Sequence, residues 1–156
     1  MNKTNVIRML EKAKIPFETI EYEVSEDDLS AEHIAKIIGL DPKTVFKTLV
    51  THGDRHGYTV FCIPCEKEVD LKKAAKITGD KKIEFVHVKD LLKITGYIRG
   101  GCSPVGMKKK FPTYFDNSAL DLQKISVSGG VRGLQVILNP KLLISYINAF
   151  CEDVTL

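Results

Sequence analysis

Phe46-Lys-Thr-Leu-Val-Thr-His-Gly-Asp-Arg-His-Gly-Tyr-Thr-Val-Phe-Cys-Ile63 sets the fold class. Residues 46–51 and 58–63 are rich in β-branched and aromatic side chains, and the polar segment between them contains Gly53 and Gly57, so the stretch predicts a β-hairpin. Helix signals lie upstream. Ser30 can cap a helix with Ile34, Ala35, Ile37 and Ile38 on one stripe and Gly39 as its stop, and Asp41-Pro42 starts one further short turn. Earlier still, Val6, Met9, Leu10 and Ala13 keep helical spacing over residues 4–14 until Pro16. Residues 17–24 then alternate, which puts Ile20, Tyr22 and Val24 on one side of a half-buried strand and turns Tyr22 inward.

Downstream of the hairpin, Asp70 caps a helix over residues 71–77 with Gly79 as its stop. Residues 82–86 follow as a strand and residues 90–95 as a short helix ending at Gly96. Residues 111–116, 124–128 and 134–138 have strand character, with a tight glycine turn from Ser128 to Gly133. Asn139-Pro140 opens a last helix that places Leu142, Leu143, Tyr146, Ile147 and Phe150 on its buried side. Short helices that interleave with hairpin-like strand pairs predict an α/β protein, a mixed, strongly curved, barrel-like sheet surrounded by helices, in a single domain over residues 1–156.

A chain of 156 residues buries enough surface to fold without disulfides or a structural metal. No apolar run approaches the roughly 20 residues of a membrane span, and the polar first residues do not make a signal peptide, so a cytoplasmic location with no membrane partner is expected. Four cysteines in that setting are expected as reduced thiols. The balance of 23 Lys+Arg against 20 Asp+Glu is only slightly basic, yet acidic residues gather between Glu18 and Glu32 while lysines crowd residues 72–82 and 108–110. That asymmetry gives one face a bias toward polyanions, although a lysine run is also what an ordinary solvated surface looks like.

The segment Gly96-Tyr-Ile-Arg-Gly-Gly-Cys-Ser-Pro-Val-Gly106 cannot continue a helix or a central strand, because its glycines and proline oppose both. Taken alone it is a connection; its other use is to bring bare backbone N–H groups up to a ligand oxygen. Ser128-Gly129-Gly130 has the same two readings. Lys47, at the mouth of a strand, is either a snorkelling surface lysine or a single ammonium aimed at a phosphate or ester oxygen. Cys62-Ile-Pro-Cys65 has the spacing of half a zinc site or a redox pair, but no second such pair exists, His52 and His56 fit no common finger, and no helix start follows Cys62. Two structural thiols at a strand end suit the pattern better, so neither a metal nor a cofactor is expected. Cys102 has no base beside it in sequence and is a poor candidate nucleophile.

Together these segments resemble one family. Residues 41–50, 71–76, 95–106 and 127–134 occur in the order seen in YbaK-type Cys-tRNA(Pro) deacylases, relatives of the editing domain inserted in bacterial prolyl-tRNA synthetase, and the likeness spans nearly the whole chain. The resemblance implies that Lys47 holds the 3′-terminal nucleotide and that Gly100, Gly101, Cys102, Ser103 and Pro104 form the family's G-x-x-x-P loop, with Gly101 against the aminoacyl carbonyl. It further implies pocket roles for Tyr22, Ser128 and Gly129. Better-known members carry an aspartate where this chain has Gln135, which bears on substrate choice. The implied activity is deacylation of mischarged tRNA(Pro), Cys-tRNA(Pro) first, in company with prolyl-tRNA synthetase and without a cofactor. The substrate's own thiol is thought to attack its ester, with backbone donors of Gly101 and Cys102 meeting the oxyanion. An enzyme for another mischarged tRNA such as Ala-tRNA(Pro), or a non-catalytic module built on Cys62 and Cys65, are the alternatives.

Overall fold

The computed structural model describes residues 3–156, and the helix expected over residues 4–14 runs there from Asn5 to Lys12 (α1). Thr4 caps it, its hydroxyl accepting from the Ile7 N–H at 3.2 Å. The other caps fall where the sequence puts them. Ser30 opens α2 (Ala31–Ile38), which Gly39 closes in the left-handed conformation at φ 71°; Asp70 opens α3 (Leu71–Thr78); and Asn139 opens α5 (Pro140–Tyr146). Between them α4 runs from Val88 to Thr95, two residues earlier than expected.

The hairpin forms as β2 (Phe46–Gly53) and β3 (Gly57–Pro64), paired from Phe46↔Pro64 to Gly53↔Gly57. Its loop is tied down by Asp80 after α3, whose carboxylate accepts from the Arg55 N–H at 2.9 Å, the His56 N–H at 2.8 Å and the Thr78 hydroxyl at 2.6 Å. A Cβ on Gly53 would lie 2.1 Å from an Asp80 oxygen, so any larger residue there must displace that carboxylate from its hydrogen bonds.

Five strands form one sheet in the order β4 (Ile83–Phe85), β2, β3, β5 (Thr113–Asp116), β8 (Phe150–Glu152); three form another in the order β1 (Phe17–Glu21), β7 (Leu134–Leu138), β6 (Ile125–Ser128). The second is antiparallel throughout, whereas β3, β5 and β8 pair in parallel. The expected mixed α/β architecture is present, but the barrel is not: the sheets do not close. Among the described residues they are joined by one isolated bridge, Val45↔Ser126, because the chain before Val45 is a 3-10 turn, Pro42–Thr44, with no extended backbone to continue a ladder.

β3 carries buried side chains on both faces, which explains the unbroken apolar run Val60-Phe61-Cys62-Ile63. Val60 and Cys62 join α1, Phe46, Phe115 and the inner face of the three-stranded sheet; Phe61 and Ile63 face α3 through Ala74 and Ala75. The last helix is the main local correction. It stops at Tyr146, Asn148 turns back at φ 53°, and Phe150 enters β8 and is 55% exposed instead of facing the core; Leu142, within the helix, is 45% exposed.

Candidate active site

The gap that prevents closure is itself a cavity. β4 covers β2 only from Thr51 to Gly53, with the Val86 N–H reaching the Val50 carbonyl at 3.0 Å, and β6 touches the other end at Val45. Between those points the edge of β2 from Phe46 to Leu49 is uncovered and borders a space of about 350 Å³. Lys47 and Thr48 line it from β2, Ser128 and Gln135 from the small sheet, and Gly100 and Cys102 from the glycine loop. Three segments far apart in sequence therefore meet on one cavity, with Gly101 itself outside its lining.

Lys47 is half-buried, and its Nζ donates to the Cys65 carbonyl at 3.2 Å. No carboxylate lies within ion-pair distance of it among the described residues. A half-buried ammonium held by a neutral carbonyl keeps its charge available for an anionic ligand group. Arg99 adds a second cation at the cavity wall, a residue sequence reasoning passed over although it stands inside the glycine motif. Its carbonyl is gripped by the Arg132 Nε at 2.8 Å, which ties the first glycine loop to the second.

Gly101 serves that same junction. It is buried, and a Cβ there would meet Arg132 N and Val131 C at 3.1 Å, both backbone atoms. Its N–H donates to the Ile98 carbonyl at 3.0 Å, so this donor is committed within the loop and does not face a ligand. The neighbouring N–H groups of Gly100 and Cys102 have no protein acceptor among the described residues, and both residues line the cavity. Ser103 and Pro104 are buried behind the loop, where the Ser103 hydroxyl accepts from the Val105 N–H at 3.2 Å. Gly129 is buried as well: a Cβ there would stand only 2.6 Å from the Leu134 side chain, and the Thr4 hydroxyl donates to the Gly129 carbonyl at 2.7 Å. These residues brace the site from outside it.

Tyr22 lies elsewhere. β1 ends one residue before it, its N–H donates to the Gly133 carbonyl at 2.9 Å, and it borders a small neighbouring cleft with His33, Gly100 and Arg132. Gly100 is a wall common to both spaces. Val24, expected inward beside it, is 36% exposed.

Gln135 is 3% exposed, and its Oε1 accepts from the buried Ser126 hydroxyl at 2.8 Å. This is a neutral, hydrogen-bonded floor. The Cys102 thiol is pushed up to about 12 by burial, so it stays protonated at neutral pH and is a poor nucleophile. Cys65 is raised to about 11, again mainly by burial, and its Sγ donates to the Pro42 carbonyl at 3.3 Å; Cys62 is fully buried against the Thr48 hydroxyl and is also raised. A redox pair needs a lowered thiol pKa, the reverse of what Cys62 and Cys65 have. No cluster of three or more potential metal ligands occurs among the described residues.

The sequence profile of the aminoacyl-tRNA editing domain matches residues 26–146. Over 153 residues the chain is 49% identical to EbsC of Enterococcus faecalis, assigned as a Cys-tRNA(Pro)/Cys-tRNA(Cys) deacylase, with 98% of this chain and 93% of that one covered. A proline–tRNA ligase of Fervidobacterium nodosum is 30% identical over 79 residues, which covers 51% of this chain and 14% of the ligase. The fold matches a crystal structure assigned as a trans-editing enzyme for prolyl tRNA synthetase with a TM-score of 0.83, covering 99% of both chains at 22% identity. The chain belongs to the aminoacyl-tRNA editing-domain family.

Proposed function

We propose that the protein is a trans-editing deacylase that hydrolyses mischarged tRNA(Pro), Cys-tRNA(Pro) foremost. The observation that carries this is the meeting of Lys47, Gly100 and Cys102 with their unpaired N–H groups, and the Ser128–Gln135 floor around one cavity, where burial keeps the Cys102 thiol protonated. An aminoacyl ester is already activated, so positioning and oxyanion stabilisation suffice. In the proposed reaction the cysteinyl thiol attacks its own ester carbonyl. The S–C bond forms, the C–O bond to the terminal ribose breaks, the thiol proton passes to the released ribose hydroxyl, and water later opens the thiolactone. The Gly100 and Cys102 N–H groups stabilise the oxyanion, a role the committed Gly101 N–H leaves to its neighbours. Lys47 binds the terminal phosphate or ester oxygen.

Prolyl-tRNA synthetase is the proposed partner, because a small protein with sequence-independent backbone contacts needs another source of tRNA identity. The likeness to part of a proline–tRNA ligase supports that pairing. No described helix is long and apolar enough to cross a membrane, and the proposed site of action is the cytoplasm. Gln135 favours one second reading: a neutral amide in place of a carboxylate suits an apolar aminoacyl group such as alanine. The test is deacylation of Cys-, Ala- and Ser-tRNA(Pro) side by side. Faster turnover of the alanyl ester would replace the first reading by the second, and turnover of none would reject both.

A further inference from the structure

Along β2 the cavity lies between the Val45–Ser126 bridge and the pairing of Thr51 with Phe85. Phe85 at the end of β4 is 47% exposed, and Val88, at the start of α4, is 59% exposed, and both line the cavity. Leu92, one turn further along α4, is 54% exposed, so the three side chains extend the apolar wall outward onto the surface. Core packing does not account for this, since Phe85 belongs to neither large buried cluster and makes none of the ring–ring contacts found among the other aromatic residues. An exposed apolar group of this kind at the rim of a ligand cavity marks a binding surface.

We propose that Phe85, flanked by Val88 and Leu92, is the platform on which the 3′-terminal adenine of the tRNA stacks. The proposal rests on the deacylase reading and assigns the part of the substrate that reading left unplaced. An aminoacyl nucleotide is polar at its ester, anionic at its phosphate and flat and apolar at its base. The cavity lining presents matching groups: Ser128, Gln135 and the glycine loop as polar partners, Lys47 and Arg99 as cations, and Phe85 and Val88 as apolar surface. Every base has a π-face, so such a platform adds affinity without sequence preference, which suits an end that all tRNAs share. β4 is a sheet edge covered by no further strand among the described residues, so a nucleotide reaches the ring from solvent. Phe85 is thus a positioning residue.

The test uses an acceptor-stem RNA of tRNA(Pro) with 2-aminopurine as its terminal base and cysteine joined through a non-hydrolysable 3′-amide. Fluorescence is quenched when the base stacks. Wild type and Phe85→Trp are expected to quench it and Phe85→Ala to leave it bright. With Cys-tRNA(Pro), Phe85→Ala should raise KM about tenfold, within the range of a single lost base–aromatic stack, with a smaller change in kcat, and Phe85→Trp should restore KM. Equal quenching by Phe85→Ala overturns the proposal, as does wild-type deacylation without any quenching, or a raised KM with unchanged fluorescence. Absence of wild-type deacylation with every mischarged tRNA overturns the editing reading and the platform with it.

Discussion

Gly101→Ala separates a braced junction from a ligand-facing backbone. The glycine is not in the left-handed region, so alanine meets no φ penalty; the obstacle is contact alone. Its Cβ would lie 3.1 Å from Arg132 N and Val131 C and 3.2 Å from Val131 Cα, and backbone atoms cannot rotate away as a side-chain tip can. The loop from Ser128 to Gly133 must move by a few tenths of an ångström. Overpacking of this kind costs about 1–3 kcal/mol, a fall in Tm of about 2–4 °C for each kcal/mol in a domain of this size. Because the displaced loop begins at Ser128 and runs toward Gln135, both cavity residues, kcat/KM for Cys-tRNA(Pro) should fall about tenfold or more, as a 1 Å misplacement costs about a hundredfold. Steady-state deacylation together with a thermal melt measures both effects. A Gly101→Ala protein with wild-type kcat/KM, beside loss of activity when Lys108 to Lys110 are changed to glutamine, would refute the assignment of the loop's function to its backbone.

Three further outcomes are expected. Burial opposes ionisation of Asp80, but the Thr78 hydroxyl and the Arg55 and His56 N–H groups together hold its carboxyl below the usual range. A lowered folded pKa stabilises above the unfolded value of about 4 and is lost as pH falls through the folded one, so in urea titrations the advantage of wild type over Asp80→Asn should be full at neutral pH and shrink in acid. Cys102→Ala should keep deacylation within about threefold, since a thiol raised to about 12 is not the nucleophile; loss of a thousandfold would make it one. Lys108 to Lys110 changed together to glutamine should weaken tRNA binding modestly and flatten its salt dependence, measured as the slope of log Kd against log salt, with little effect on kcat.

Local signals made most of the fold legible. Ser30, Asp70 and Asn139 accept from the first N–H groups of their helices, and Gly39, Gly79 and Gly96 end theirs with positive φ, each a feature fixed within a few residues. The parallel pairing of β5 with β3 and of β8 with β5 was not legible, because distant segments meet there with no turn to announce them. Phe150 shows the ambiguity most clearly: its spacing from Ile147 and Tyr146 is helical, yet the chain turns at Asn148 and places the residue on an edge strand. At the site, Lys47, Gly100, Cys102, Ser128 and Gln135, the residues the family resemblance singled out, line one cavity. The hydrogen bond that commits the Gly101 N–H, the displacement of Tyr22 into a neighbouring cleft, and the contributions of Arg99 and Phe85 depend on how loops and sheet edges pack, which no spacing in the sequence encodes. An arginine inside a glycine loop was the one available hint.

Lys47 and the substrate's own thiol, rather than a protein nucleophile, are proposed to drive deacylation in this cavity. Single-turnover rates with Cys-tRNA(Pro) and Ser-tRNA(Pro), for wild type and Lys47→Ala, test this most directly. Rapid loss of the cysteinyl ester is expected with wild type, a loss of rate of about a hundredfold or more in Lys47→Ala, and little turnover of the seryl ester by either. Equal rates for the two proteins, or seryl and cysteinyl esters cleaved alike, would contradict it.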